Sequence, residues 1–201
     1  MTEMKQIYFN GKLVGELPTA ESDELEIEAT SKFLEDKGLL RVPNATLVAF
    51  TQARSFAATS ASLFERDLSK LPRNGASVAP FVVNSAFAIE LYLKALGRLD
   101  GIELRGHDLL ELFDALPSQT HAAIEQNFSK ARWRCGIATL AEFRQALKEM
   151  RRAFEEWRYL YEKERTGTIR FFQMIFAMEM LHATCERHEQ IQSALQMSSR
   201  L

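Results

Sequence analysis

Residues 79–97, APFVVNSAFAIELYLKALG, are the stretch that most limits what this chain can fold into. Nearly every position is apolar, so a helix formed here is apolar on most sides and belongs inside a domain. Yet the stretch carries Asn84, Glu90 and Lys94. Carboxylates and ammonium groups go inside only when they are paired. Glu90 and Lys94 stand four residues apart with the acid on the N-terminal side, the favourable order for a helical ion pair. At about 100° per residue, Val83, Phe87, Glu90 and Lys94 fall on one face. The spacing predicts a central helix with a polar seam. It leaves two readings of that seam: an internal ion pair, or the wall of a cleft that Asn84 and a basic helix complete.

The rest of the chain reads as partners for that helix. Ile7, Tyr8 and Phe9 lead into Asn10-Gly11, and Leu13 and Val14 follow. Asn-Gly between β-prone runs predicts a hairpin, because both turn positions need positive φ. A lone hairpin is marginal in water and has to dock on something. Thr19 is a candidate cap for an acidic helix running to about Asp36, with Glu21, Asp23 and Glu24 at the positive end of its dipole. Pro43-Asn44 opens a helix to about Leu68, rich in small residues, and Leu71–Ser77 is a loop. Beyond the central helix, expected to stop near Gly97, a short leucine-rich helix follows His107 and ends at Pro117. A further helix covers about Gln119–Trp133. Thr139 and Glu142 fit a capping box. They start the longest expected helix, Thr139–Thr166, with Leu140, Phe143, Leu147, Met150, Phe154, Trp157 and Tyr161 on one apolar face. Gly167 breaks it. The last helix runs from Ile169 towards Ser198, turns polar after Met178, and is expected to fray beyond Leu181.

This pattern has no βαβ alternation and no internal repeat. The fold class it implies is all-α: an up-and-down helical bundle with a short N-terminal β-hairpin. The organisation expected is residues 1–40 as hairpin and acidic helix, and 41–201 as the bundle. With 201 residues, 46% of them apolar, the chain can bury a substantial core. A net charge of −2 gives no overall pull towards nucleic acid or anionic membrane. Charge is uneven, however: four basic against nine acidic residues over 1–40, and eleven against six over 128–170. Two cysteines, Cys135 and Cys185, make no disulfide framework and read as reduced thiols. The expectation is a cytoplasmic protein without a membrane span: the N-terminal run lacks a signal-peptide core, and no wholly apolar run reaches the roughly 20 residues a bilayer needs.

Four further groups could carry chemistry. His107 is either a cap or core-edge residue, or an acid–base imidazole in need of a partner. Arg158, with Tyr159 and Glu162 beside it, either pairs with Glu162 or offers a guanidinium fork to Glu90 or an anionic ligand. Lys130, Arg132 and Arg134, then Arg144, Lys148, Arg151 and Arg152, form either a solvated basic face or a phosphate-tracking strip. Glu179, His182, Cys185, Glu186, His188 and Glu189 are spaced for metal ligation but lack any closed ligand motif, so they read as a polar helix tail and no metal is expected. The chain contains no Gly-rich phosphate loop and no nucleophile elbow, and no cofactor is expected.

Three segments together resemble the HEPN superfamily: NSAFAIELYLKAL (Asn84–Leu96), RGHDLLELFDALP (Arg105–Pro117) and AFEEWRYLYE (Ala153–Glu162). The resemblance covers about Ala45–Arg165 and lies in the order and spacing of the segments. It implies a helical bundle, commonly a homodimer, of bacterial toxin–antitoxin or phage-defence systems. A nucleotidyltransferase-type antitoxin or RNA is then the partner. Many members of that superfamily are metal-independent endoribonucleases, in which an arginine is followed after four to six residues by a histidine and the RNA 2′-hydroxyl attacks the adjacent phosphate. This chain departs from that pattern. Counting from Arg158, the histidine position falls on Lys163, Glu164 or Arg165. The resemblance therefore implies first a binding or interaction module, with Asn84, Glu90, Lys94, Tyr159 and Glu162 in its site. A ribonuclease using Arg158 and His107 is the alternative, and a structural oligomer with an internal seam is the third.

Overall fold

A computed structural model describes residues 4–39, 44–132, 135–158 and 169–188. The chain divides into two compact units, Met1–Asn44 and Ala45–Leu201. The fold is mostly helical, with an N-terminal antiparallel hairpin.

In the first unit, β1 (Met4–Phe9) pairs with β2 (Lys12–Pro18). Asn10 and Gly11 both have positive φ, as a two-residue hairpin turn requires. The hairpin docks on α1 (Asp23–Asp36). Gly15 is the point of closest approach: a Cβ there would collide with the Phe33 ring. Lys37 donates to the Val14 carbonyl at 2.8 Å and lies over Phe33, and Lys5 pairs with Glu26. The α1 cap is Ser22, whose hydroxyl accepts from the Leu25 N–H, and not Thr19. Ser22 stands directly before the acidic turn Asp23–Glu26, so it reaches the free N–H groups that Thr19 is too far upstream to meet.

In the second unit, α3 (Val78–Leu99) is the axis, and α2 (Ala45–Leu63), α7 (Ala153–Arg158) and α8 (Phe171–Arg187) pack around it. A π-helical turn, Phe64–Leu68, closes α2. There Asp67 accepts from Arg66 and from the Ser77 hydroxyl at the start of α3, and these bonds hold its carboxyl down at about 2. By length and composition the 25 residues Gly75–Leu99 could cross a bilayer. Phe81, Ile89, Tyr92, Leu93 and Leu96 are instead covered by protein. The helix ends at Leu99, near Gly97 as expected. The smaller helices are α4 (Leu109–Asp114), α5 (Ser118–Glu125) and α6 (Leu140–Glu149), the last opened by the expected Thr139–Glu142 capping box.

Three further expectations are corrected. The run from Thr139 is not one helix: it breaks at Met150–Arg152, between α6 and α7. The break frees the Arg151 carbonyl to accept from the Leu109 N–H at 3.0 Å. It also turns the Arg151 guanidinium onto Asp108 and Glu111 of the α4 end. The helix expected over Gln119–Trp133 ends at Glu125 and gives way to a 3-10 turn, Phe128–Lys130; Trp133 lies outside the described residues. Finally, α8 does not lose its packing after Leu181. Cys185 is fully buried, and the Thr184 hydroxyl donates to the Met180 carbonyl while accepting from Asn127.

Candidate functional site

The polar seam of α3 is a three-residue cluster. Glu90 is 1% exposed. Its Oε1 accepts from Lys94 Nζ at 2.7 Å, as the four-residue spacing predicts. The second partner is His107, whose Nδ1 lies 3.0 Å from Oε1 and 3.1 Å from Oε2. A carboxylate this deeply buried needs compensation, and an ammonium and an imidazole N–H supply it. The side chains of Lys94 and His107 are 22% and 52% exposed, so the cluster runs from the core to the surface.

Local backbone explains how His107 arrives. Gly97 has no Cβ, and one built there would fall 2.7 Å from Leu104 Cγ and 3.1 Å from the Ile102 carbonyl oxygen. The loop after α3 therefore folds back tightly on the helix. Gly106, at φ +90°, makes the turn immediately before His107. The α4 cap is Asp108, which accepts from the N–H groups of Leu110 and Glu111, and this leaves the His107 ring for Glu90. Phe154 of α7 completes the wall, stacked on Phe87 at 4.9 Å and on His107 at 6.1 Å between ring centres.

With Nδ1 on Glu90, the second ring nitrogen of His107 has no partner among the described residues. A carboxylate that holds Nδ1–H and leaves the Nε2 lone pair open is the usual way to position an imidazole for proton transfer. Nε2 donates to an anion only when it is itself protonated.

The structure thus brings Glu90, Lys94 and His107 together. It does not bring Asn84 to them: that amide donates to the Pro80 carbonyl of its own helix at 2.8 Å. Tyr159, Glu162 and the side chain of Arg158 lie outside the described residues, although α7 ends at Arg158. The basic strip is partly neutralised. Arg144 makes a bidentate pair with Asp114, Arg151 binds Asp108 and Glu111, and Arg132 reaches Glu65.

A second polar chain escaped the sequence reading. Tyr92, itself buried, places its hydroxyl 3.0 Å from His182 Nδ1, and His182 Nε2 lies 3.1 Å from Glu186. Phe50 stacks on the imidazole at 5.6 Å. The signal in the sequence was His182 and Glu186 at helical spacing; Tyr92, 90 residues away, was not readable. These residues bond to one another, and among the described residues no three His, Cys, Asp or Glu side chains converge as metal ligands.

Burial pushes the Tyr92 hydroxyl and the Cys185 thiol above their ordinary values. Burial also holds His182 below its ordinary value; Arg54 adds to this and Glu186 opposes it. The folded state thus favours neutral His182. Its contribution is complete above the unfolded histidine range, about 6.5, and is lost as pH falls towards the lower folded value. Wild type is expected to lose more stability between pH 7.5 and pH 5 than His182→Gln, read from urea midpoints. Equal losses would remove His182 from the account.

No family model, curated protein or solved structure matches the chain.

Proposed function

We propose that the helical unit is a HEPN-like binding module of the cytoplasm whose Glu90–Lys94–His107 seam meets a phosphate of RNA, in a toxin–antitoxin or phage-defence setting. One observation carries this reading: a buried carboxylate holds two cationic-type side chains whose outer parts reach the surface. Glu90 fixes their positions, Lys94 donates to an anion, and the open Nε2 of His107 joins it as a donor in the protonated ring. Phe154 and Phe87 give the seam an apolar flank against which a ribose or base can pack. The ordered motif resemblance supplies the family, the homodimer and the nucleotidyltransferase-type partner. The missing histidine after Arg158 favours binding over cleavage.

A second reading has its own support. His107 is oriented by Glu90 as a general base would be, and α7 carries Arg158. In a metal-independent endoribonuclease, His107 Nε2 would take the 2′-hydroxyl proton while Arg158 stabilised the attacked phosphate. The new 2′-O–P bond would replace the P–O5′ bond, giving a 2′,3′-cyclic phosphate and a 5′-hydroxyl protonated from water.

Labelled RNA incubated with the purified chain in EDTA separates the two. The binding reading expects a saturable anisotropy change, weakened in His107→Ala, with the RNA intact. Cleavage that disappears in folded His107→Ala and Arg158→Ala variants would replace it with the nuclease. Absence of any RNA binding would overturn both.

A further inference from the structure

Helix α7 has two working sides. Phe154 faces the seam, whereas Ala153 and Trp157, one turn apart, line a separate cavity of about 330 Å³ between α3, α6 and α8. Its apolar part includes Val82 and Met174, both almost completely buried, and the partly buried Trp157. Four cations also line it. Arg151 is held by Asp108 and Glu111, and Arg170 by Glu149 at 2.5 Å. Lys148 and Arg152 have no partner among the described residues. Two carboxylates, Glu149 and Glu156, line it as well.

Two cations without a partner among the described residues, beside apolar and aromatic side chains, ask for a ligand with two matching parts. A carboxylate would answer only one of the cations, while a phosphomonoester carries close to two negative charges and three acceptor oxygens for an arginine fork and a lysine. Free phosphate would leave the apolar wall and Trp157 uncovered. The cavity is at the small end of the range for ligand sites, room for one ring and its phosphate. We propose that this cavity binds a small aryl phosphomonoester. The site is distinct from the Glu90 seam and does not rest on the reading of that seam.

Isothermal titration of the full chain with phenyl phosphate tests it. The expected result is saturable one-to-one binding, with inorganic phosphate, phenol and benzoate each weaker by about tenfold or more. A Lys148→Ala/Arg152→Ala double variant is expected to weaken phenyl phosphate by a similar factor. Trp157→Leu should weaken it too, and Lys70→Ala, a loss of surface charge elsewhere, should not. Because Lys148 and Arg152 are exposed, the double variant should keep the wild-type circular dichroism. Failure of phenyl phosphate to saturate overturns the proposal. So does inorganic phosphate, phenol or benzoate binding as tightly as phenyl phosphate, or a folded double variant that binds like wild type.

Discussion

Replacing Lys94 with methionine is expected to destabilise the chain by about 3 kcal/mol, more than Glu90→Gln, which should cost about 1–2 kcal/mol. The asymmetry follows from where the two charges sit. Glu90 is sealed in the core, so removing Lys94 leaves a buried carboxylate with only the half-exposed His107 as partner. In Glu90→Gln the new amide oxygen would still accept hydrogen bonds, and the Lys94 head is near enough to water to be solvated along its flexible stem. The double change Glu90→Leu/Lys94→Met removes both charges and should recover most of the loss, since replacing a buried pair by apolar groups is often close to neutral. Urea midpoints of Glu90→Leu, Lys94→Met and the double make the cycle, with Glu90→Gln measured beside it. If Lys94→Met costs no more than Glu90→Gln, the carboxylate is not the group left stranded.

What could be read of this site from the sequence follows the range of the interactions. Glu90 and Lys94 were legible because both lie on one helix, where spacing alone sets geometry. His107 was visible as a candidate, but its partner was not, because the bond depends on a loop that closes only where Gly97 lets Leu104 come near. The capping box at Thr139 was legible for the same local reason. The break at Met150–Arg152 was not. No glycine or proline marks it, and the apolar stripe continues through it into Ala153 and Phe154. What holds it open is tertiary: a backbone bond from Leu109 and two carboxylates around Arg151. The polar composition of α8 misled for a related reason. Thr184 and Cys185 look like surface residues in sequence, yet Asn127 from another element satisfies the hydroxyl, and Cys185 lies under Tyr92.

The same break gives the candidate site its anchor, and the largest loss expected outside the seam is at Asp108. This carboxylate does two jobs. It caps α4 through the N–H groups of Leu110 and Glu111, and its Oδ2 accepts from Arg151 Nε at 2.6 Å. A lost cap costs about 1 kcal/mol, and a lost charge-assisted hydrogen bond about 1.5–3 kcal/mol. Because Arg151 is partly exposed and keeps Glu111, the lower part of that second range applies, so Asp108→Ala should cost about 2–3 kcal/mol in all. Asp108→Asn retains the cap and should cost less. The effect is not confined to stability. Asp108 adjoins His107, so releasing α4 from Arg151 also loosens the imidazole from Glu90. The RNA affinity proposed for the seam should then fall in Asp108→Ala even at temperatures where the chain remains folded. The pH dependence gives an independent check. Burial opposes ionisation of Asp108, but Arg151 and the two N–H groups outweigh it and set its carboxyl below the ordinary value. A depressed carboxylate contributes fully above the unfolded value, near 4, and that contribution is lost as pH falls through the lower folded value. Wild type should therefore lose stability faster than Asp108→Ala as pH falls below about 4, and the two should converge there. Denaturation curves for the two proteins that stayed parallel down to pH 2 would show that Asp108 does not hold α4 through its charge.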